Sequence, residues 1–246
     1  MNIYWGVVSS HAANSTVHNV AGNPTLFDYI TQQVQIPHFW GRYIAGKTPQ
    51  DLLTPDEVNF ISSSSSGSCR ILLIFYGATP GGDHQTGVTD ALNAIEAAQA
   101  LGVPTGVSLY GDIETNVPTS SDWLFGWWET MSTSMFANPG GFYCNPSARN
   151  ASNFSTPYCT AITSLANLNP DGTLRFNPPL FSSAPQLGCT FNRSSFGPCE
   201  PACVPDSVGI WQYAEGCFKG NTSPRGLCDM DLANDGGYTT MWSFQG

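Results

Sequence analysis

Two rhythms of apolar residues alternate along the first half of the chain. Short runs rich in β-branched and aromatic residues read as strands: IYWGVVS (3–9), HFWGRYI (38–44), RILLIFYG (70–77) and TGVSLYGDIE (105–114). RILLIFYG is almost wholly apolar, as a strand buried on both faces requires. Between the strands lie longer amphipathic stretches. PTLFDYITQQV (24–34) predicts a helix with Pro24 in its first turn, and TPDEVNFISSS opens with a capping box of Thr54 and Glu57. VTDALNAIEAAQALG (88–102) keeps helical spacing and stops at Gly102. SDWLFGWWETMSTSMF (121–136) predicts a helix capped by Ser121. Its Trp123, Trp127 and Trp128 fall on one stripe, a pattern for core burial rather than ligand contact.

Beyond residue 137 the signal weakens. The strand candidates there are GGFYCN (140–145), PLFSSA (179–184), VGIWQYAE (208–215) and CDMDLA (228–233), with one helix inside 154–168. Ser62–Ser66 reads as the frayed end of a helix, and 185–206 as a long Cys/Pro-rich loop stapled by disulfides. Repeated strand–helix alternation implies parallel strands with right-handed crossovers. About eight strands in ~250 residues favour a (β/α)8-type TIM barrel, irregular in its C-terminal half. An open doubly wound sheet is the alternative, but neither GxGxxG nor GxxxxGK[ST] supports a nucleotide-binding version. A single domain over 1–246 is expected, since no stretch resembles a linker.

Composition narrows the function. Charged residues make up 11% of the chain and the net charge is −10, so a nucleic-acid backbone would be repelled and no polybasic membrane patch exists. No apolar run reaches the length of a membrane span. The cysteines number eight: Cys69, Cys144, Cys159, Cys189, Cys199, Cys203, Cys217 and Cys228. None forms a CxxC pair and the histidines make no metal motif, so disulfides in an oxidising compartment are expected, with no metal or cofactor. Close spacing selects Cys144–Cys159 and Cys217–Cys228 as first guesses among many pairings. Five Asn-x-Ser/Thr sequons, at Asn14, Asn150, Asn153, Asn192 and Asn221, agree with a secreted glycoprotein. MNIYWGVVSS does not look like a signal peptide, so a secreted protein would be seen here in its mature form.

The chemistry gathers at the end of the fourth strand. Residues two apart in a strand share a face, so Asp112 and Glu114 point with Ser108 and Tyr110 into a barrel, at the end where barrel active sites are built. Two such carboxylates can flank a glycosidic bond, one giving a proton and the other stabilising or attacking. Glu114 is expected as proton donor and Asp112 as stabiliser or nucleophile. Asp229 and Asp231 have the same spacing and reach the same mouth if their strand closes the barrel. Their other uses are structural hydrogen bonding, or Ca²⁺ ligation with Asp235, which lacks EF-hand spacing. Trp211, Gln212 and Tyr213 of GIWQYAE, with Tyr76 and Tyr110, are candidates for stacking on and hydrogen bonding to sugar. No Gly-x-Ser-x-Gly elbow is present.

In order along the chain, FWGRYIAG, LTPDEVNFI, RILLIFYG, ALNAIEAAQALGVPTGVSLYGDIE, GIWQYAEG and CDMDLA resemble the glycoside-hydrolase-like domain of unknown function DUF1906, a relative of the lysozyme-like family 25 glycoside hydrolases. The resemblance runs from about 3 to 234 and is most specific at LGVPTGVSLYGDIE. It implies a (β/α)8-like barrel that cleaves or binds cell-wall or other extracellular glycan. It places the acid/base positions on Asp112 and Glu114, with Gln212, Asp229 and Asp231 in support. In YWGVVSS, Val8 stands where the family carries an acid, and the Cys-rich 185–206 departs from the compact bacterial pattern. Two functions follow as expectations: a secreted glycosidase-like enzyme acting on a carbohydrate polymer, or a catalytically silent secreted glycoprotein that binds glycan or self-assembles. A Ca²⁺-dependent lectin built on Asp229 and Asp231 is a third.

Overall fold

The computed structural model describes residues 1–136, 140–164, 177–190, 195–218 and 226–244. In chain order it holds β1 (Ile3–Val8), α1 (Leu26–Gln33), β2 (Phe39–Ala45), α2 (Pro55–Ser64), β3 (Arg70–Phe75), α3 (His84–Ala100) and β4 (Leu109–Asp112). There follow α4 (Ser121–Ser132), β5 (Gly141–Cys144), α5 (Ser155–Ile162), β6 (Leu180–Ser182), β7 (Val208–Cys217), β8 (Cys228–Asn234) and α6 (Asp235–Thr239). The strands close in sequence order into one eight-stranded barrel. None of the described helices is long and apolar enough to cross a membrane.

One strand departs from the all-parallel ring. β1 to β7 are mutually parallel, but β8 runs antiparallel to both β7 and β1. That reversal decides where its acids lie. Asp229 sits near the start of β8 and pairs with Val8 at the end of β1. In a parallel β8, the same residue would lie at the base of the barrel. The acids reach the mouth because the strand comes down from it.

Local chemistry sets the helix boundaries. Thr25 caps α1 through the Asp28 N–H, which leaves Pro24 just outside the helix rather than in its first turn. Ser120, not Ser121, caps α4. Asp83 caps α3, so that helix begins before the apolar stripe at 88. Only half of the capping box at α2 forms. Thr54 Oγ1 accepts from Glu57 N at 3.2 Å, while the Glu57 carboxylate turns away to other partners.

The interior divides into two cores. Inside the barrel, Phe39, Leu72, Ile74, Tyr110, Phe181 and Ile210 pack together, and Met241 joins them from the segment after α6. Outside, a larger core lies between strands and helices and includes all three tryptophans of α4, each fully buried. Glycines permit the tightest contact there. A Cβ on Gly87 of α3 would lie 2.2 Å from the Trp123 carbonyl oxygen, and one on Gly126 of α4 would lie 2.2 Å from that of His84. The two helices therefore touch backbone to backbone. Alanine is the better helix former by about 1 kcal/mol, yet neither carbonyl can retreat without moving its helix. Gly87→Ala is expected to destabilise the fold by about 1–3 kcal/mol, read as a lowered Tm. An unchanged or raised Tm would show that the helices separate freely.

Two disulfides tie the C-terminal half together: Cys159–Cys203 and Cys189–Cys217. Neither pairing expected from close spacing forms. Cys144 is a buried free thiol, because Cys159 on α5 bonds the loop before β7 instead. Cys217 and Cys228 are cross-strand neighbours in register, but the 187–189 segment lies along the end of β7, with Leu187 N donating to Tyr213 O at 2.7 Å. That brings Cys189 to Cys217. Cys69, Cys199 and Cys228 are also free thiols, so four of the eight cysteines are bonded rather than all.

Candidate functional site

A pocket of about 100 Å³ opens at the mouth of the barrel, lined by Val8, Tyr43, Ile74, Asp112, Glu114, Tyr143, Gln212, Glu215 and Asp229. Most lining residues come from the mouth-side part of a strand, with Glu114 just beyond β4 and Gln212 from the middle of β7. β4 supplies Asp112 at its last position. Gly111, one residue earlier, faces outward, and a Cβ there would stand 3.2 Å from the Trp127 ring. The α4 tryptophan is thus packed flush on β4, which fixes the strand that carries Asp112. Glu114 follows just beyond the strand and is solvent-exposed.

The two carboxylates of the DIE stretch live in different surroundings. Asp112 is only 4% exposed, and neither of its oxygens has a hydrogen-bond partner among the described residues. Burial, reinforced by Glu114 nearby and opposed by Lys47, pushes its carboxyl up to about 8. Lys47 is itself held by aromatic faces: its Nζ lies 3.3 Å from the centre of the Tyr76 ring and 4.6 Å from that of Tyr43.

Across the mouth, Asp229 Oδ1 accepts from Gly216 N at 2.8 Å. Burial pushes its carboxyl up to about 6 in spite of that bond, with Glu215 and Glu114 adding to the rise. Asp231 lies deeper on the same face of β8, fully buried and opposite Gln212 in the ladder. Burial and Asp229 hold it well above the usual carboxylate range, against the Val8 N–H. The phenols of Tyr43 and Tyr143 are pushed up by burial and by the same carboxylates, so both remain neutral hydrogen-bonding rings.

Of the residues singled out in the sequence, the structure brings Asp112, Glu114, Gln212 and Asp229 to one pocket. Asp231 sits beneath it, and Tyr76 flanks it through its edge-to-face contact with Tyr43 at 6.0 Å. Tyr110 is fully buried inside the barrel against Phe181 and does not reach the mouth. Trp211 and Tyr213 lie on the outer face of β7, where Trp211 Nε1 donates to Pro185 O at 3.0 Å. The sequence reading missed the rings that do line the pocket, Tyr43 and Tyr143. Their signal was alternation: Tyr43 follows Phe39 and Gly41 on the inward face of β2. The Ca²⁺ set does not assemble, because Asp235 lies six residues beyond Asp229, ~20 Å along an extended strand. It accepts instead from Asn2 and Tyr4 at the opposite end. No group of His, Cys, Asp and Glu suited to a metal occurs among the described residues.

The sequons differ in access. Asn14 is exposed. Asn150 is buried, with Nδ2 donating to Asn145 O and Oδ1 accepting from Asn153 Nδ2, so the folded chain leaves no room for a glycan there. Asn192 and Asn221 lie outside the described residues.

Comparison with known proteins places this barrel. An uncharacterised protein of B. stearothermophilus has 24% identity and a TM-score of 0.75, over 97% of this chain and 100% of that one. The Tat-secreted protein Rv2525c of Mycobacterium tuberculosis, solved with L-tartrate, has 12% identity and a TM-score of 0.56, over 94% and 96%. A bacterial lysozyme of Streptomyces coelicolor has 12% identity and a TM-score of 0.52, over 94% and 92%. These likenesses establish a shared fold. No curated protein matches the chain in sequence. The model of the Rv2525c-like, glycoside hydrolase-like domain matches residues 37–192, well over half of the chain. By that match, on a barrel with its acids gathered at the mouth, the chain belongs to the Rv2525c-like glycoside hydrolase-like family.

Proposed function

We propose that the protein is a secreted glycosidase acting on cell-wall or other extracellular glycan, with Asp112 and Glu114 as its paired carboxyl groups. The observation that carries this reading is the difference in their surroundings. A buried carboxyl held protonated beside an exposed one is how two acids divide the roles of proton donor and of base or nucleophile. Those surroundings favour Asp112 as the proton donor and Glu114 as the base or nucleophile, the reverse of the order expected from the sequence. Gln212, Tyr43 and Tyr143 supply hydrogen bonds and ring faces to the sugar. The lysozyme of S. coelicolor shares the fold, which makes peptidoglycan a substrate to test first. Secretion is supported by the two disulfides and by the exposed sequon at Asn14.

The test is release of reducing ends from peptidoglycan and from chitin-type oligomers. The wild type is expected to release them, and Glu114→Gln to lose at least ~100-fold in rate. Equal release by both proteins would remove Glu114 from the mechanism.

Val8 supports a second reading, a silent glycan-binding module. It puts an apolar side chain on the pocket wall opposite Asp229 in the ladder. Retention of the protein on insoluble glycan without release of reducing ends would select that reading.

A further inference from the structure

The lining of the mouth pocket is one-sided in charge. Asp112, Glu114, Glu215 and Asp229 contribute four carboxyl groups, and no Lys, Arg or His is among the lining residues. β4 and β8 lie four strands apart in a ring of eight, so these acids face each other across the mouth. Asp112 is 4% exposed, lines the pocket and has no hydrogen-bond partner among the described residues. A buried polar group without a partner is costly unless a ligand satisfies it.

The lining is also unbalanced in hydrogen bonding. Carboxyl oxygens and the Gln212 carbonyl offer many acceptors, and they outnumber the donors supplied by the Gln212 amide, the Tyr43 and Tyr143 phenols and the Asp112 proton. An acetamido group brings a carbonyl that needs a donor and a methyl that needs an apolar slot. An ammonium group brings three donors and a charge. The walls add the rings of Tyr43 and Tyr143, and just outside the lining one ammonium is already seated on such rings, Lys47 on Tyr76 and Tyr43. A volume of about 100 Å³ holds a small charged substituent and the edge of a sugar ring, not a whole disaccharide.

We propose that the pocket takes a hexosamine with a free amino group, so that the favoured substrate is a de-N-acetylated stretch of glycan. The ammonium sits toward Asp229 and Glu215 on the β7–β8 side, and the glycosidic oxygen lies toward Asp112 and Glu114 on the β4 side. This rests on the glycan-directed reading above and narrows it.

The experiment compares two probes on the full chain: a glucosamine tetramer and the N-acetylglucosamine tetramer, each followed by calorimetric titration and by reducing-end release. The glucosamine tetramer is expected to bind roughly tenfold or more tightly at low salt. Added salt should erode that preference. Glu215→Gln, an exposed rim change, should weaken binding of the glucosamine tetramer about threefold more than that of the acetylated one. Equal handling of both tetramers, or preference for the acetylated one, would overturn the ammonium site while leaving the glycosidase reading intact. Failure of the folded protein to bind or cleave either tetramer or a peptidoglycan preparation would overturn both.

Discussion

Asp112→Asn is expected to lower kcat on a cleaved glycan by about 10²–10⁴-fold, with little change in KM. Asparagine keeps the size of the side chain but cannot give up a proton. Activity of the wild type should fall as pH rises through about 8, where Asp112 loses the proton that burial holds on it. Stability gives an independent readout. An aspartate in the unfolded chain ionises near ~4, whereas this one holds its proton to about 8 in the fold. Between those values the folded state binds the extra proton, so its contribution to stability is full below the lower value and is lost as pH rises through the upper one. The variant escapes that loss. It should melt above the wild type at pH ~8 and close to it at pH ~4. Wild-type turnover in Asp112→Asn would remove the residue from the chemistry, and an equal Tm difference at both pH values would contradict the protonated state.

The second large effect concerns stability. Arg42 on β2 and Glu57 on α2 form a fully buried ion pair at 2.9 Å. Arg42 Nη1 also donates to Ser9 O at 2.7 Å, and Glu57 Oε1 accepts from Ala13 N at 2.8 Å. The pair thereby holds the segment after β1, beside Val8 at the pocket, to the second β/α unit. Glu57→Ala leaves a guanidinium and a backbone N–H buried without their partner. The expected cost is about 3–5 kcal/mol, which lowers Tm by roughly 6–20 °C in a chain of this size. Because the loss comes from stranding a charge, Arg42→Met combined with Glu57→Leu should recover most of it. A single variant that melts within about 2 °C of the wild type would show that water reaches the site and the pair does not hold the segment.

Much of this architecture was legible in the residues. Apolar runs marked the first four strands, and the Asp-x-Glu parity correctly put Tyr110 and Asp112 on the inner face. What escaped was information that no local pattern carries. The direction of β8 shows only in its pairing with β7 and β1, and alternation reads the same along a strand in either direction. Glu57 has the spacing of a capping residue, but a long-range partner on β2 claimed its carboxylate. Cysteine pairing followed where Cys189 and Cys203 lie in the fold, beside β7 and α5, rather than spacing along the chain. Trp211 and Tyr213 were on the outer face because Gln212 points inward, and a choice of one over the other needs the register. In the site, the spacing picked out Asp112 and Glu114 as a pair but carried nothing of their unequal burial.

The antiparallel last strand has a consequence for how the molecule is made. β1 finds its second neighbour only in β8, with Ile3 paired to Asn234, so the ring stays open during synthesis until β8 has left the ribosome. Until then β1 and β7 each present an unpaired edge, the feature through which nascent chains stick to one another. Asp229 arrives with the same strand that seals those edges. A chain released before β8 therefore lacks both its closure and one side of its acidic mouth.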